Sequence, residues 1–198
     1  MPILDVPARF AGAEINHIAN PELASCVRDY ASNLRNNLKK GIGLLLSGPP
    51  GIGKTWAIVA LTNYLVKRSV TPPWVVFDTS YRLLDRYAPV VRTQDTFDHG
   101  RGCTWDHSYE SCQWLVINDL GKTYQGGKLR EQDVYKVGRL LRTRSEKMLV
   151  THITTNLPLR IYDGYESMRD RYGDSVWSLV RESMECWELD GPDMRGRT

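Results

Sequence analysis

One glycine-rich segment constrains the fold of this chain more than any other feature. Residues 48–55 run Gly-Pro-Pro-Gly-Ile-Gly-Lys-Thr and fit G-x-x-x-x-G-K-[S/T], the pattern of the phosphate-binding P-loop. With this composition, about 0.006 matches to the pattern are expected by chance in the whole chain. An apolar run at 41–46 precedes the segment, and apolar residues follow it at helical spacing up to residue 65. The sequence therefore predicts a strand, a phosphate-binding loop and a helix in succession.

Each residue type in this loop suits the binding of phosphate. Glycines let the backbone bend so that its N–H groups and the first turn of the following helix point at negative charge. Lys54 supplies a positive charge to the β- and γ-phosphates, and Thr55 supplies a hydroxyl to magnesium. The predicted nucleotide-binding residues are Gly48, Pro49, Pro50, Gly51, Ile52, Gly53, Lys54, Thr55 and Trp56.

Further strands and helices alternate along the chain. Apolar runs at 74–77, 114–117, 148–155 and 185–189 predict four more strands, a polar stretch at 93–106 predicts a loop, and helical patterns fill other intervals. Near the N-terminus, Asn20-Pro21-Glu22 predicts the start of one amphipathic helix. This alternation is typical of an α/β fold, a mostly parallel sheet with helices on both faces. We expect residues 1–40 to form a lead-in and 41–198 the core of one compact domain.

Polar residues follow two of the predicted strands, where α/β sheets place their ligands. Asn118 and Asp119 follow the strand at 114–117, and a carboxylate there can hold magnesium or polarise an attacking water. Asn156 follows the strand at 148–155, where an amide could orient that water. Taken alone, Asp119 is equally well explained as an acid at a turn, but the P-loop favours the functional interpretation. Asn156 taken alone is more often a turn residue. We predict that Thr55, Asn118 and Asp119 lie at a magnesium ion.

Composition excludes several classes of function. With 198 residues, 41% of them hydrophobic and 25% charged, the chain can form a sizeable core but not a large multidomain machine. No apolar run approaches the roughly 20 residues needed to cross a bilayer, and the N-terminus lacks a signal-peptide pattern, so we expect a soluble cytoplasmic protein. The net charge of +3 is compatible with nucleic-acid binding but weaker than that of a dedicated basic DNA-binding domain.

The cysteines do not indicate a disulfide framework or a metal centre. All four lack a close partner in the sequence and are most simply reduced thiols. His99, Cys103, His107 and Cys112 form one pattern that could suggest zinc. Because neither a C-x₂-C pair nor the usual paired-histidine spacing is present, a loop followed by a packed helix is the favoured interpretation.

Taken together, the motifs resemble a known family. The segments 43–55, Asn118-Asp119-Leu120-Gly121, Thr154-Thr155-Asn156-Leu157 and Gly191-Pro192-Asp193-Met194-Arg195 are similar to those of the AAA+ ATPases of the DnaC/DnaI helicase-loader and IstB transposition-helper family. The similarity covers nearly the whole chain, because residues 3–11 and the predicted N-terminal helix resemble the lead-in to that family's ATPase domain.

The resemblance implies a P-loop NTPase of the AAA+ type, with a five-stranded parallel sheet in the order 5-1-4-3-2 and no large C-terminal lid domain. It also implies ATP and Mg²⁺ as cofactors, a homo-oligomer with nucleotide between subunits, single-stranded DNA along the assembly, and a replicative helicase or transposase as partner. By position, Asp119 matches the catalytic acid, Asn156 a sensor and Arg171 the arginine finger offered to a neighbour's ATP. Arg195 matches the second sensor, and Arg144 matches an arginine before the fourth strand.

Two features depart from the family pattern. Asn118 stands where the family has a magnesium-linked aspartate, so we expect weak ATP hydrolysis, because an amide lacks the charge that supports the metal's outer shell. Only 47 residues precede Gly48, fewer than the separate helicase-binding domain of the loaders requires. This favours a reduced version from a phage or mobile element.

The function predicted at this point is a DNA-associated ATPase switch that assists replication initiation or transposition by assembling on DNA with ATP. The predicted DNA contacts are Arg82, Arg86, Lys122, Lys128 and Arg144. A solvated helix face explains the basic residues from 128 to 147 about as well. Two alternatives stay open: a small-molecule P-loop kinase, and a nucleotide-binding scaffold with little hydrolysis, which Asn118 favours.

Overall fold

The protein folds around a parallel sheet. The structure, a computed structural model, describes residues 6–87, 104–122 and 131–195. Within these ranges the sheet has five strands: β1 (Gly43–Ser47), β2 (Val75–Thr79), β3 (Trp114–Leu120), β4 (Val150–Thr155) and β5 (Met184–Glu188). They lie in the order β2-β3-β4-β1-β5, and every neighbouring pair is parallel. Taken from the other edge, this is 5-1-4-3-2, so the predicted fold class and strand order are confirmed.

Two helices precede the first strand, and the other helices lie between successive strands. In chain order the helices are α1 (Pro21–Ser32), α2 (Leu34–Lys40), α3 (Lys54–Arg68), α4 (Ser80–Arg86), α5 (Thr104–Ser111), α6 (Glu131–Glu146) and α7 (Met168–Ser183). Two short 3-10 turns, Ala8–Phe10 and Ile15–His17, precede α1. No helix within the described ranges is long and apolar enough to cross a membrane.

Several strand bounds differ from the predictions by one to three residues, and three differences have a visible cause. The single N-terminal helix is in fact two helices, because the backbone leaves helical geometry at Asn33, whose side-chain amide donates to the carbonyl of Asp29 at 3.3 Å. The predicted loop at 93–106 ends early, since α5 begins at Thr104, and residues 93–103 lie outside the described part. β4 begins at Val150 because Met148 has a left-handed φ of 51°.

The strands bury side chains on both faces of the sheet. Leu44 and Leu46 of β1 pack with α1 and α3 in one core, while Leu45 packs with α6 and α7 in the other. Successive residues of a strand point to opposite faces, so an unbroken apolar strand requires cover on both. Ala13 and Ile18 of the lead-in belong to the first core. Because all the strands are parallel, their carboxyl ends share one edge, where β1 continues into the P-loop.

Arg144, one of the predicted DNA contacts, is a buried structural residue. Its side chain is 0% exposed. The guanidinium donates to the carbonyls of Tyr109 at 2.6 Å, Cys112 at 3.0 Å and Val150 at 2.7 Å, and its Nε donates to Thr151 Oγ1 at 2.8 Å. These bonds tie α6 to α5 and β4. A guanidinium enclosed in this way cannot reach a DNA phosphate, so the prediction for Arg144 was wrong.

Replacing Arg144 by methionine should destabilise the fold without creating a large void. The change leaves three backbone carbonyls without their donor, and a buried acceptor left unsatisfied costs about 1–3 kcal/mol. We expect the free energy of unfolding, measured by urea denaturation, to fall by about 3 kcal/mol. The control is Arg142→Met, at an exposed position of the same helix; its effect should stay within about 0.5 kcal/mol. Equal losses in the two variants would contradict the structural role.

Candidate functional site

The P-loop joins β1 to α3 at the carboxyl edge of the sheet. Gly51 and Gly53 have φ values of 89° and 100°, a left-handed backbone that residues with a Cβ rarely adopt. Gly53 directly precedes α3, and no side chain caps the start of that helix. The N–H groups of the first turn of α3 therefore have no side-chain cap. N–H groups at a helix N-terminus that lack such a cap can bind phosphate.

Lys54 lies at the centre of the loop and is 5% exposed. Its Nζ donates to the carbonyls of Gly48 at 2.7 Å and Pro49 at 2.8 Å, and to Asn156 Oδ1 at 2.9 Å. Burial lowers the pKa of Lys54 to about 8, opposed by the negative charge of Asp119. The amine therefore bridges the P-loop and the end of β4.

Thr55 and Asn118 are joined directly. Thr55 Oγ1 donates to Asn118 Oδ1 at 2.8 Å, and Thr154 Oγ1 donates to the same oxygen at 2.9 Å. Asn118 is 7% exposed, and both its neighbours reach it from other elements, α3 and β4. The position expected to support magnesium therefore contacts the hydroxyl expected to bind it.

Asp119 has an unusual backbone. Its φ is 58°, a left-handed value that is uncommon for a residue other than glycine. Its N–H donates to Thr154 Oγ1 at 3.0 Å, and its carbonyl accepts from Ser80 Oγ at 2.8 Å. The half-buried carboxylate is close enough to Lys54 that its negative charge partly opposes the lowering of the pKa of that amine by burial. Asp119 therefore belongs to the same cluster as Lys54 and Asn156.

The C-terminal segment after β5 lies along the P-loop. The N–H of Leu189 donates to the carbonyl of Ser47 at 2.9 Å, and the N–H of Met194 donates to that of Gly51 at 3.0 Å. A Cβ placed on Gly51 would lie 2.0 Å from an oxygen of Asp193. The left-handed φ of 89° favours glycine at position 51, and a Cβ there would also force the Asp193 side chain to move.

Arg195, the predicted second sensor, is held by Asp193 beside the loop. Its Nε donates to both carboxylate oxygens at 3.0 Å, and its Nη2 to one of them at 2.6 Å. These bonds lower the pKa of Asp193 to about 2. The charge of Arg195 contributes to the lowered pKa of Lys54, so the two cations are near each other. Sequence reasoning did not assign a role to Asp193, although it stands inside the terminal motif.

Arg171, the predicted arginine finger, makes its contacts within its own chain. Its Nε donates to Glu166 at 3.0 Å, its Nη2 also bonds Glu166, and its Nη1 bonds the carbonyl of Gly121. The side chain is 18% exposed. Gly121 directly follows β3, so Arg171 is attached to the chain two residues after Asp119. It does not contact Lys54.

Trp56, the last of the predicted nucleotide-binding residues, follows Thr55 in the first turn of α3. Its ring packs edge-on against Phe10 of the lead-in, with ring centroids 6.4 Å apart. The indole Nε1 is buried and has no hydrogen-bond partner among the described residues. The ring therefore attaches the lead-in to the start of the P-loop helix.

The other predicted DNA contacts have different environments. Arg82 on α4 and Lys122 after β3 are exposed. Arg86 donates to the buried carboxylate of Asp78 at 3.2 Å, and that carboxylate also accepts from Tyr109 Oη. Lys128 lies outside the described residues. The exposed pair thus stays available for phosphate, whereas Arg86 has a structural partner.

The possible zinc pattern receives no support from the residues that the structure places. His99 and Cys103 lie outside the described ranges, and nothing is described of the His107 side chain. Cys112 is buried against Arg144. Among the described residues, no group of three or more histidine, cysteine, aspartate or glutamate side chains is placed to hold a metal ion.

A cleft of about 470 Å³ opens beside the P-loop. It is lined by Gly48 and Pro49, by Asn156 at the end of β4, and by the exposed rings of Tyr162 and Tyr165. The site is therefore open to solvent on this side and can admit a ligand larger than a single phosphate group.

Comparison with solved structures identifies the fold. The chain resembles the DnaC helicase loader (22% identity, 92% of this chain and 99% of that chain, TM-score 0.70). It also resembles DnaI (19% identity, 96% and 94%, TM-score 0.66). A third match is the replication initiator DnaA bound to AMPPCP and single-stranded DNA (15% identity, 91% and 50%, TM-score 0.59). No family model and no curated protein matches the sequence.

The fold and the P-loop define a P-loop NTPase architecture of the AAA+ type. Within that class, the structures of DnaC and DnaI share this fold over more than nine tenths of both chains. The resemblance to the helicase loaders that the sequence motifs indicated is therefore confirmed at the level of the fold.

Proposed function

We propose that this protein is an ATP-binding AAA+ switch that works on DNA, assisting replication initiation or transposition. The observation that carries the proposal is the convergence of Lys54, Thr55, Asn118, Asp119 and Asn156 at one edge of the sheet, connected by short hydrogen bonds or by charge. These residue types, around a left-handed glycine loop, form the donor and acceptor set that a magnesium-bound triphosphate requires.

The described residues fit ATP and magnesium. The backbone N–H groups of the P-loop and the ammonium group of Lys54 would hold the phosphates, and the Thr55 hydroxyl would bind magnesium. The metal ion would supply charge stabilisation to the γ-phosphate. Asp119 would polarise the attacking water, and Asn156, already bonded to Lys54, would orient it. A DnaA neighbour with a similar fold is bound to AMPPCP, an ATP analogue, which supports this assignment.

The DNA part of the proposal depends on the structural neighbours and on exposed basic residues. One DnaA neighbour is a complex with single-stranded DNA, and the helicase loaders share the fold. In this chain Arg82 and Lys122 are exposed, and we propose them, with Lys128, as phosphate contacts. A helicase or transposase is the proposed protein partner.

Oligomerisation would couple ATP to DNA binding. Nucleotide held by Lys54 of one subunit and touched by Arg171 of the next would stabilise the assembly, and hydrolysis would release it. For this, Arg171 must leave Glu166 and the Gly121 carbonyl, which it contacts in the single chain. Arg171 would thus exchange its partners within the chain for the ATP of the neighbouring subunit.

A nucleotide-binding scaffold with little hydrolysis is the second candidate. Asn118 favours it, because an amide that already accepts from Thr55 and Thr154 adds no negative charge beside the metal. The two candidates share ATP binding and differ only in turnover.

The proposed function predicts nucleotide-dependent DNA binding. Fluorescence anisotropy of a labelled single-stranded oligonucleotide, titrated with protein, should show at least tenfold tighter binding with ATP and magnesium than with ADP, since ATP favours the assembled state. Lys54→Ala should abolish the difference. Equal affinity with ATP, with ADP and without nucleotide would contradict the switch, and no binding in any state would contradict the DNA function.

Restoring an acid at position 118 should accelerate hydrolysis. Groups that support a metal's ligands typically change activity by about 10–100-fold, so we expect Asn118→Asp to raise the rate of phosphate release at least about tenfold. The bonds from Thr55 and Thr154 can persist, because a carboxylate accepts as the amide oxygen does. Turnover equal to that of the unchanged protein would show that Asn118 does not limit hydrolysis.

Removing the charge of Asp193 should strengthen ATP binding. Asp193 places a carboxylate against Gly51 and occupies Arg195, and both effects disfavour a phosphate in the loop. We expect Asp193→Asn to lower the Kd for a fluorescent ATP analogue by about threefold, near 0.7 kcal/mol. Asp85→Asn, which removes an exposed charge on α4, is the matched control. A Kd that rises in Asp193→Asn would indicate that the carboxylate supports the site.

A further inference from the structure

Thr154 occupies the centre of the hydrogen-bond chain in the site. This side chain on β4 is 0% exposed. Its hydroxyl donates to Asn118 Oδ1 at 2.9 Å and accepts from the Asp119 N–H at 3.0 Å. A hydroxyl has one proton, and the amide N–H can only donate, so the direction of both bonds is fixed. One hydroxyl therefore holds the two consecutive residues expected at the metal and at the water.

The irregular pairing of β3 with β4 explains why the Thr154 side chain bonds Asn118 and Asp119. The strands stay in register up to Ile117, and pairing resumes after two residues on β3, Asn118 and Asp119, but only one on β4, Thr154. This is the geometry of a β-bulge, which changes the direction of side chains and is common beside functional sites. Within the bulge, the Asp119 N–H bonds the Thr154 hydroxyl.

The bulge also explains the backbone of Asp119. In a regular strand, Asn118 and Asp119 would point to opposite faces of the sheet. The left-handed φ of 58° at Asp119 departs from that geometry. A residue keeps such a conformation only where its surroundings hold it, and here hydroxyls bond both sides of Asp119: Thr154 at its N–H and Ser80 at its carbonyl.

Thr154 and Thr55 share one acceptor. Both hydroxyls donate to Asn118 Oδ1, at 2.9 and 2.8 Å. A metal ion would take a lone pair of the Thr55 oxygen, so the Thr55 proton would still donate to Asn118. The two hydroxyls, one on α3 and one on β4, therefore hold the amide oxygen of Asn118 together.

We propose that Thr154 is a positioning residue for ATP hydrolysis, which fixes Asn118 and the bulged Asp119 against the nucleotide through its single hydroxyl. The proposal rests on the proposed function, because it assumes that ATP is bound and hydrolysed at this site. Ser80 assists it from the other side of Asp119.

The test compares variants that remove or keep the hydroxyl. Thr154→Val has nearly the same shape without the hydroxyl, and Thr154→Ser keeps the hydroxyl. Thr62→Val is the matched control, because Thr62 is also buried, with one donated bond to Ile58 and one accepted bond from Trp114, but lies outside the site. Each variant is measured for the Kd of a fluorescent ATP analogue with magnesium and for single-turnover hydrolysis of radiolabelled ATP.

We expect Thr154→Val to keep the Kd within about threefold while the single-turnover rate falls at least about tenfold. Thr154→Ser should restore the rate to within about threefold of the unchanged protein, and Thr62→Val should leave it unchanged. A Thr154→Val rate within threefold of the unchanged protein would overturn the proposal, as would a Thr154→Ser rate as low as that of Thr154→Val. A rate loss of the same size in Thr62→Val would overturn the proposal, because it would indicate that Thr154 has only a structural role.

Two further measurements separate the possible failures. If Thr154→Val does not fold by circular dichroism, Ser80→Ala replaces it, since it removes the other bond to Asp119; a rate loss of at least about threefold supports the proposal, and an unchanged rate overturns it. If the unchanged protein binds no ATP analogue, the proposed function itself fails. ATP binding with hydrolysis that is insensitive to position 154 contradicts only the role of Thr154.

Discussion

The buried ammonium group of Lys54 is the interaction on which the site depends. It connects the P-loop carbonyls of Gly48 and Pro49 to Asn156 at the end of β4. A buried charge is costly unless its donors are used, so this bonding draws together the ends of two neighbouring strands. The lowered pKa, about 8, still leaves most of the amine charged at neutral pH. Phosphate oxygens can therefore replace the carbonyls without a change in protonation.

The parts of the fold that depend on local patterns were predictable. The P-loop follows from residue types at fixed spacing, and the strands follow from apolar runs. In a parallel sheet the carboxyl ends of the strands share one edge, so Asn118, Asp119 and Asn156 are expected near the P-loop. In the structure Asn156 bonds Lys54, Asn118 bonds Thr55, and the charge of Asp119 acts on Lys54. The strand order itself required the family resemblance, because no local pattern specifies which strands are neighbours.

Other features depend on partners that are distant in the sequence. Arg144 lies seven residues after Val137 and three after Leu141, which is the spacing of the buried face of α6, so this face was visible in the sequence. Charge alone suggested a solvent-exposed side chain, and only the carbonyls of α5 and β4 explain its burial. His152 is another polar side chain whose burial depends on distant partners. Burial lowers its pKa to about 3, and the neutral imidazole packs against Trp114. The bulge at Asp119 likewise depends on pairing between β3 and β4, which a period-two pattern does not reveal.

The C-terminal segment shows how far the site extends along the chain. Backbone bonds fix Leu189 to Ser47 and Met194 to Gly51, and the Asn20 side chain that caps α1 also bonds the carbonyl of Asp190. In the proposed function, a bound phosphate would carry the same sign of charge as Asp193 beside one loop and would compete with it for Arg195. They must therefore disfavour each other, and by thermodynamic reciprocity phosphate in the loop weakens the Asp193 contact as much as that contact weakens phosphate binding. In the proposed function, nucleotide occupancy and the position of this segment would therefore be coupled through Arg195.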